Sequence, residues 1–186
     1  MQSNNWGQAE KVLKNGGVII APTDTLYGIL ARAEDRKNVE RIYKIKGRDE
    51  QKPFIILITS VNHLKNFGVE HSNILQNIGM FPKGKKVSFI LSCTSKKFVY
   101  LHRGQGSLAF RIIKPRNRNL FTLIQNVGPL VAPSANPQGL SPAKTIWESK
   151  KYFGNNIDMY ICGGTRNAKP STIISLVGDK PKILRK

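Results

Sequence analysis

Apolar residues in this chain follow two rhythms that alternate along its length. Short apolar stretches of strand length recur at Val18–Ala21, Phe54–Ile58, Val87–Ser92, Leu108–Ile113 and Leu130–Ala132. Between them, apolar side chains return every three or four residues, at 6, 9, 12 and 13, at 39, 42, 43 and 45, and at 120, 123, 124 and 127, the period of one helix face. Helix stops follow at Gly16-Gly17, Gly47 and Gly128-Pro129. Further helices are expected over 61–67 and 72–79, and from a Ser141-Pro142 cap to Phe153, with Asn38 capping the helix that holds Val39. Short strands are expected at 157–162, 172–177 and 181–185. Interleaved helices and strands of this size predict an α/β (α+β) fold built on one open, twisted mixed sheet flanked by helices. At 186 residues with no repeats and no linker, the whole chain, 1–186, reads as one domain.

Charge constrains the partners. Lys and Arg number 30 against 11 Asp and Glu, a net of +19. Between Glu70 and Glu148 there is no carboxylate side chain, yet eleven Lys and Arg fall there. Such a field favours polyanions, so tRNA, double-stranded RNA or nucleotides are the first partners to consider, with binding that weakens steeply in salt. A Lys-rich genome raises the lysine count without explaining a long stretch empty of acids. No apolar run approaches the roughly 18 residues of a membrane span. Met1–Trp6 lacks the basic and apolar regions of a secretory signal, and Cys93 and Cys162 are unclustered, so a reducing cytoplasm is expected.

Several familiar site motifs fail. Gly79–Lys86 nearly spells a phosphate-binding Walker loop, but it lacks the final Ser or Thr and precedes a strand instead of a helix. Gly104-Gln105-Gly106 is too short for a dinucleotide fingerprint. His63, His71 and His102 have no metal-ligand spacing, and no G-x-S-x-G elbow is present. No protein-bound metal is expected.

Four polar clusters sit where strands or helices end. They are Pro22-Thr23-Asp24-Thr25-Leu26-Tyr27-Gly28, Lys46-Gly47-Arg48 with Lys52 nearby, Ser134-Ala135-Asn136, and Ser171-Thr172 with Arg185 close to the end. Alone, each has an ordinary reading as a turn or a helix cap. Lys46 and Arg48, two apart across a glycine, can also aim at one anion, and Ser134 and Asn136 place a hydroxyl and an amide on one side of an extended segment. Together and in this order they resemble the YrdC family, the L-threonylcarbamoyladenylate synthases, in its single-domain form. The family's P-T-[DE]-T-x-Y-G, K-x-R, S-x-N, S-T and I-L-R motifs all have counterparts, from about Trp6 to Lys186. The chain departs at Phe81-Pro82-Lys83-Gly84, where the family usually has W-P-G-P, and after Leu184-Arg185-Lys186, where it usually continues P-G.

The resemblance implies a reaction in which L-threonine, bicarbonate and ATP give threonylcarbamoyl-AMP and pyrophosphate, with Mg2+ arriving on ATP. A downstream threonylcarbamoyl transferase then modifies tRNA. By the same resemblance Lys46, Arg48, Lys52, Ser107, Asn136, Lys144 and Arg185 hold ATP, and Thr25, Arg111, Ser134 and Ser171 hold threonine. Lys46, Arg48, Ser134 and Asn136 form the catalytic set. The chemistry needs no activated Ser or Cys, because the nucleophile belongs to the substrate; the protein aligns reactants and offsets charge. Two alternatives stand beside it: a non-catalytic RNA- or tRNA-binding protein of the same fold, and a regulator that binds ATP without turnover.

Overall fold

The computed structural model describes residues 5–69, 86–178 and 180–186. The expected helix over 72–79 and the Phe81–Gly84 departure lie outside them. In chain order the elements are α1 (Trp6–Lys14), β1 (Ile19–Pro22), β2 (Tyr27–Arg32), α2 (Arg36–Lys46), β3 (Ile55–Ile58), β4 (Val87–Ser92), α3 (Val99–His102), β5 (Ser107–Ile112), α4 (Arg118–Val127), β6 (Leu130–Val131), α5 (Ile146–Phe153), β7 (Met159–Tyr160), β8 (Thr172–Ser175) and β9 (Lys182–Arg185). The nine strands form one sheet in the order β7-β1-β2-β6-β3-β5-β4-β8-β9. Pairing is mixed: β1–β7, β3–β5 and β4–β8 are parallel and the other neighbours antiparallel. This is the open mixed sheet expected from the pattern.

Alternation along the strands divides the core between the two faces. Ile29, Ile56, Ile58, Leu108 and Phe110 point to one face, under Val39, Ile42 and Tyr43 of α2 and Ile146 and Phe153 of α5. Leu30, Leu57 and Leu130 point to the other, under Ala9 and Leu13 of α1 and Leu120, Leu123 and Ile124 of α4. On this second face the registers Ile55↔Ala109, Leu57↔Arg111 and Ile90↔Ala109 carry the row onward to Ser107, Arg111 and Ile90. The row there is no longer purely apolar. Polar side chains replace leucines, and that part of the sheet becomes the floor of the site described below.

Local chemistry moves several boundaries. Asp35, not Asn38, caps α2; its carboxylate accepts from the Asn38 N–H at 3.1 Å. An acid suits the positive end of a helix, and it frees the Asn38 carboxamide to bond Gly16 O (2.5 Å) and Asp35 Oδ2 (2.7 Å). Ser141-Pro142 does not open α5, because Ala143 is buried and donates to Ala135 O (3.0 Å). Thr145 caps α5 instead, accepting from Glu148 N (3.2 Å), while Glu148 accepts from Lys144 N (2.7 Å). The 61–67 segment is a 3-10 helix, and the expected strand at 157–162 shortens to Met159–Tyr160. Among the described residues no helix is long and apolar enough to cross a membrane.

Gly47 ends α2 in the left-handed region (φ 56°), with its N–H bonded to Lys44 O (3.2 Å). Among the described residues nothing lies within 4 Å of a Cβ added there, so an alanine meets only backbone strain. Gly47→Ala should therefore lower stability by about 1 kcal/mol. Urea unfolding should show an earlier midpoint with an unchanged slope; an unchanged midpoint would mean that the left-handed cap is absent.

Candidate active site

The four polar clusters meet. Thr23–Leu26 is the turn between β1 and β2, closed by Thr23 N–H to Leu26 O (3.0 Å) and Thr23 Oγ1 to Leu26 O (2.7 Å). Thr23 and Thr25 share a hydroxyl hydrogen bond at 3.1 Å, so both buried hydroxyls are tied down. After β6 the chain runs beside β2: Ile29 N–H donates to Pro133 O (2.9 Å) and Ala135 N–H to Tyr27 O (2.9 Å). Gly28 lies between them, bridged to Ser134. A Cβ there would stand 2.9 Å from Thr23 Cγ2, which explains why a glycine lets the turn and the Ser134 segment close up.

These segments enclose a cavity of about 290 Å³. Its wall includes Thr25, Arg48, Arg111, Ser134, Ser171 and Arg185, six of the eleven residues named from the sequence. A second cavity of about 470 Å³ shares Pro53, Ile55 and Ile173 with the first and contains Lys52 and Ser107. Two adjoining chambers thus hold eight of the eleven. Lys46, Asn136 and Lys144 line neither. Lys46 and Asn136 stand directly behind the wall. Lys144 is exposed, with its backbone engaged by Glu148 and by Arg166 N–H (2.7 Å to Lys144 O).

Three guanidiniums dominate the first chamber. Arg111, only 5% exposed, pairs with Asp24 through Nη2 and Oδ1 at 3.0 Å, an ion pair without hydrogen-bond geometry. Among the described residues its Nε has no hydrogen-bond partner. Burial lowers the Arg111 pKa, Asp24 opposes that shift and Arg185 adds to it. Arg185 donates to Ser171 O from Nε (3.0 Å) and Nη2 (2.8 Å). Ser171 Oγ shares a hydrogen bond with Ser88 Oγ at 2.9 Å, fully buried on β4. Arg48 is also lowered by burial, opposed by Tyr43 and Asp49, and its Nε donates to Lys52 O (3.2 Å). Lys52 itself pairs with Asp49 at 3.2 Å. Sequence reasoning left out Asp24 as a partner of Arg111 and Ser88 as a support of Ser171. The signal for Ser88 was present, as a hydroxyl on an otherwise apolar strand.

Lys46, the other cation of the K-x-R pair, is buried, 3% exposed. Its Nζ donates to Ser134 O (2.5 Å) and to Asn136 O. Ser134 Oγ donates to Asn136 Oδ1 (2.6 Å), and Asn136 Nδ2 to Leu140 O (2.7 Å). Burial, with Arg48 nearby, pushes the Lys46 pKa down to about 7. A neutral amine has two N–H groups, which match the two carbonyls.

Comparison with known proteins gives the family and the fold. The family model for Sua5/YciO/YrdC, described as telomere recombination, matches residues 11–186. The chain belongs to this family. The threonylcarbamoyl-AMP synthase of Marinobacter nauticus is 30% identical over 172 residues, spanning 91% of this chain and 90% of that protein. The Methylobacillus flagellatus threonylcarbamoyl-AMP synthase is 32% identical over 168 residues, 89% of this chain and 91% of that one. Among solved structures, the P. abyssi Sua5 complexed with L-threonine superposes with a TM-score of 0.85 at 28% identity, covering 97% of this chain and 53% of that one. The chain therefore spans about half of that longer Sua5. E. coli YciO, at 24% identity and a TM-score of 0.81, shares the fold over 99% of this chain.

Replacing Lys46 by Met should take its donor from the Asn136 carbonyl, leave the Ser134 carbonyl with only the Asn136 N–H (3.0 Å), and cost about 1–2 kcal/mol. The pH dependence has a definite sign. The folded pKa of about 7 lies below the ordinary 10.5, so the unfolded chain binds the extra proton between them. Wild-type stability from this site should rise from about pH 7 toward pH 10. The stability gap between wild type and Lys46→Met, from urea unfolding at pH 7 and pH 9, should widen; a flat or narrowing gap contradicts the buried-amine assignment.

Proposed function

We propose that this chain joins L-threonine, bicarbonate and ATP to give threonylcarbamoyl-AMP and pyrophosphate, for the N6-threonylcarbamoyladenosine modification of tRNA. The observation that carries the reading is the convergence of Arg48, Arg111 and Arg185 on one chamber that opens beside a larger one. Relatives of similar length named threonylcarbamoyl-AMP synthase support it.

Arg111 takes the threonine α-carboxylate, while Thr25, Ser134 and Ser171 set the orientation. The same cations oppose protonation of the threonine amine, since a nearby positive charge disfavours an ammonium. The amine attacks bicarbonate; a C–N bond forms and water leaves, giving a carbamate. A carbamate oxygen then attacks the α-phosphorus, the Pα–O–Pβ bond breaks, and pyrophosphate departs in line. Arg48, Lys52, Ser107 and Arg185 hold the nucleotide and offset its charge. Lys46 and Asn136 fix the Ser134 wall from behind. Magnesium travels on the triphosphate, its usual position at nucleotide sites. We place the reaction in the cytoplasm, where Cys93 and Cys162 stay free and tRNA and the transferase that consumes the product are found. A non-catalytic RNA binder of this fold has no need of a chamber lined by three arginines, and that reading is not favoured.

Pyrophosphate release should require threonine and bicarbonate together. Arg48→Ala should reduce it by about tenfold or more, as expected for losing a hydrogen bond to a charged group. A coupled pyrophosphate assay checks both outcomes, and release that continues without threonine would make the protein a different kind of ATPase.

A further inference from the structure

Arg48 does not stand alone in the wall. Its guanidinium carbon lies 5.4 Å from the centre of the Phe54 ring. Phe54 stacks on Tyr43, with ring centres 4.0 Å apart and planes 19° from parallel. Tyr43 meets a second guanidinium, that of Arg103, at 3.9 Å. With Phe54 covering one face of the Tyr43 ring, a cation this close takes the other. The order is Arg103, Tyr43, Phe54, Arg48. A second tie runs parallel to it, because Lys52 O accepts from both Tyr43 Oη (3.0 Å) and Arg48 Nε (3.2 Å).

Arg103 lines neither substrate chamber. It nevertheless adopts a backbone conformation that residues other than glycine rarely keep, with φ 52°. Its surroundings hold it there. Its Nη2 donates to Glu40 Oε2 at 2.8 Å, and its side chain is 11% exposed. Glu40 and Tyr43 lie three apart on α2, so one helix face receives both the charge and the flat side of this guanidinium. Such strain persists where several contacts fix a residue, and it is concentrated at functional positions.

We propose that Arg103 is a positioning residue for Arg48, acting through the Tyr43–Phe54 stack. Two cations at the ends of two stacked rings each favour the ring face they meet. The stack leaves Arg48 fewer orientations to lose when it takes a phosphate, which lowers the cost of binding. The inference rests on the reading of Arg48 as a phosphate ligand, and the test separates the two.

ATP and threonine affinities are measured by calorimetry for wild type, Arg48→Ala, Arg103→Ala and the double variant. Arg103→Ala should weaken ATP by about threefold to tenfold and leave threonine unchanged. In the Arg48→Ala background the same substitution should change ATP affinity by less than about twofold, because the two act as one unit. A general loosening of the fold would instead weaken both ligands and add fully to Arg48→Ala. Unchanged ATP affinity in Arg103→Ala, or an equal loss in both backgrounds, overturns the inference. If Arg103→Ala does not fold, Arg103→Lys, which keeps the charge without the flat face, carries the same cycle with a smaller expected loss. A wild type that binds no ATP removes the phosphate-site reading, and this inference with it.

Discussion

A lysine drawn almost wholly out of water holds this site together. Burying an ammonium is costly unless it is well partnered or gives up its proton, and Lys46 meets both conditions in part. Two carbonyls, from Ser134 and Asn136, receive its Nζ. The junction is bonded in the return direction as well: Gln138 N–H donates to Lys46 O (2.8 Å), and Gln138 Oε1 accepts from Asp49 N–H (2.8 Å). The end of α2 and the loop after β6 are thereby one unit, although nearly ninety residues separate them in sequence. Two arrangements follow from this unit. Gly47 turns the chain so that Arg48 enters the cavity wall while Lys46 stays behind it. Ser134 is set beside Gly28, and with it the threonine-bearing turn.

What this unit frames is an excess of positive charge at close quarters. Arg48, Arg111 and Arg185 share a chamber in which Asp24 is the ion partner of Arg111. Burial lowers all three guanidinium pKa values, and they stay cations because arginine does not lose its proton in proteins. Three guanidiniums with one paired carboxylate still leave an excess of positive charge, which favours an anionic guest. A carbamate formed from an amino acid and a nucleotide triphosphate are both of that kind. The sheet makes this possible by changing character along a single face: leucines where α1 and α4 cover it, and Ser107, Ala109 and Arg111 where it floors the cavities.

Much of this was legible in the sequence because it is local. The alternation of apolar rhythms gave the strands and helices, glycine placed the end of α2, and the four polar clusters named half of the first cavity's wall. What escaped is set by contacts between distant segments. Lys46 reads as a phosphate ligand beside Arg48, yet its neighbours in space are carbonyls. Asp35 displaces Asn38 as a cap because Asn38 is needed against Gly16. Ser141-Pro142 has the right chemistry to open a helix but is held by the pairing of Ala143 with Ala135. Arg103 carries no motif, and only the stack on Tyr43 gives it a place in the site.

We propose that two neighbouring chambers bring a threonine-derived carbamate onto the α-phosphorus of ATP. Carbon-13 and phosphorus-31 NMR of the product made from carbon-13 bicarbonate tests it most directly. One labelled carbon should be joined to the threonine nitrogen and, through oxygen, to the phosphorus of AMP, so that carbon and phosphorus show coupling. Pyrophosphate formed while the label stays in bicarbonate, or a labelled carbamate that never becomes joined to phosphorus, would contradict it.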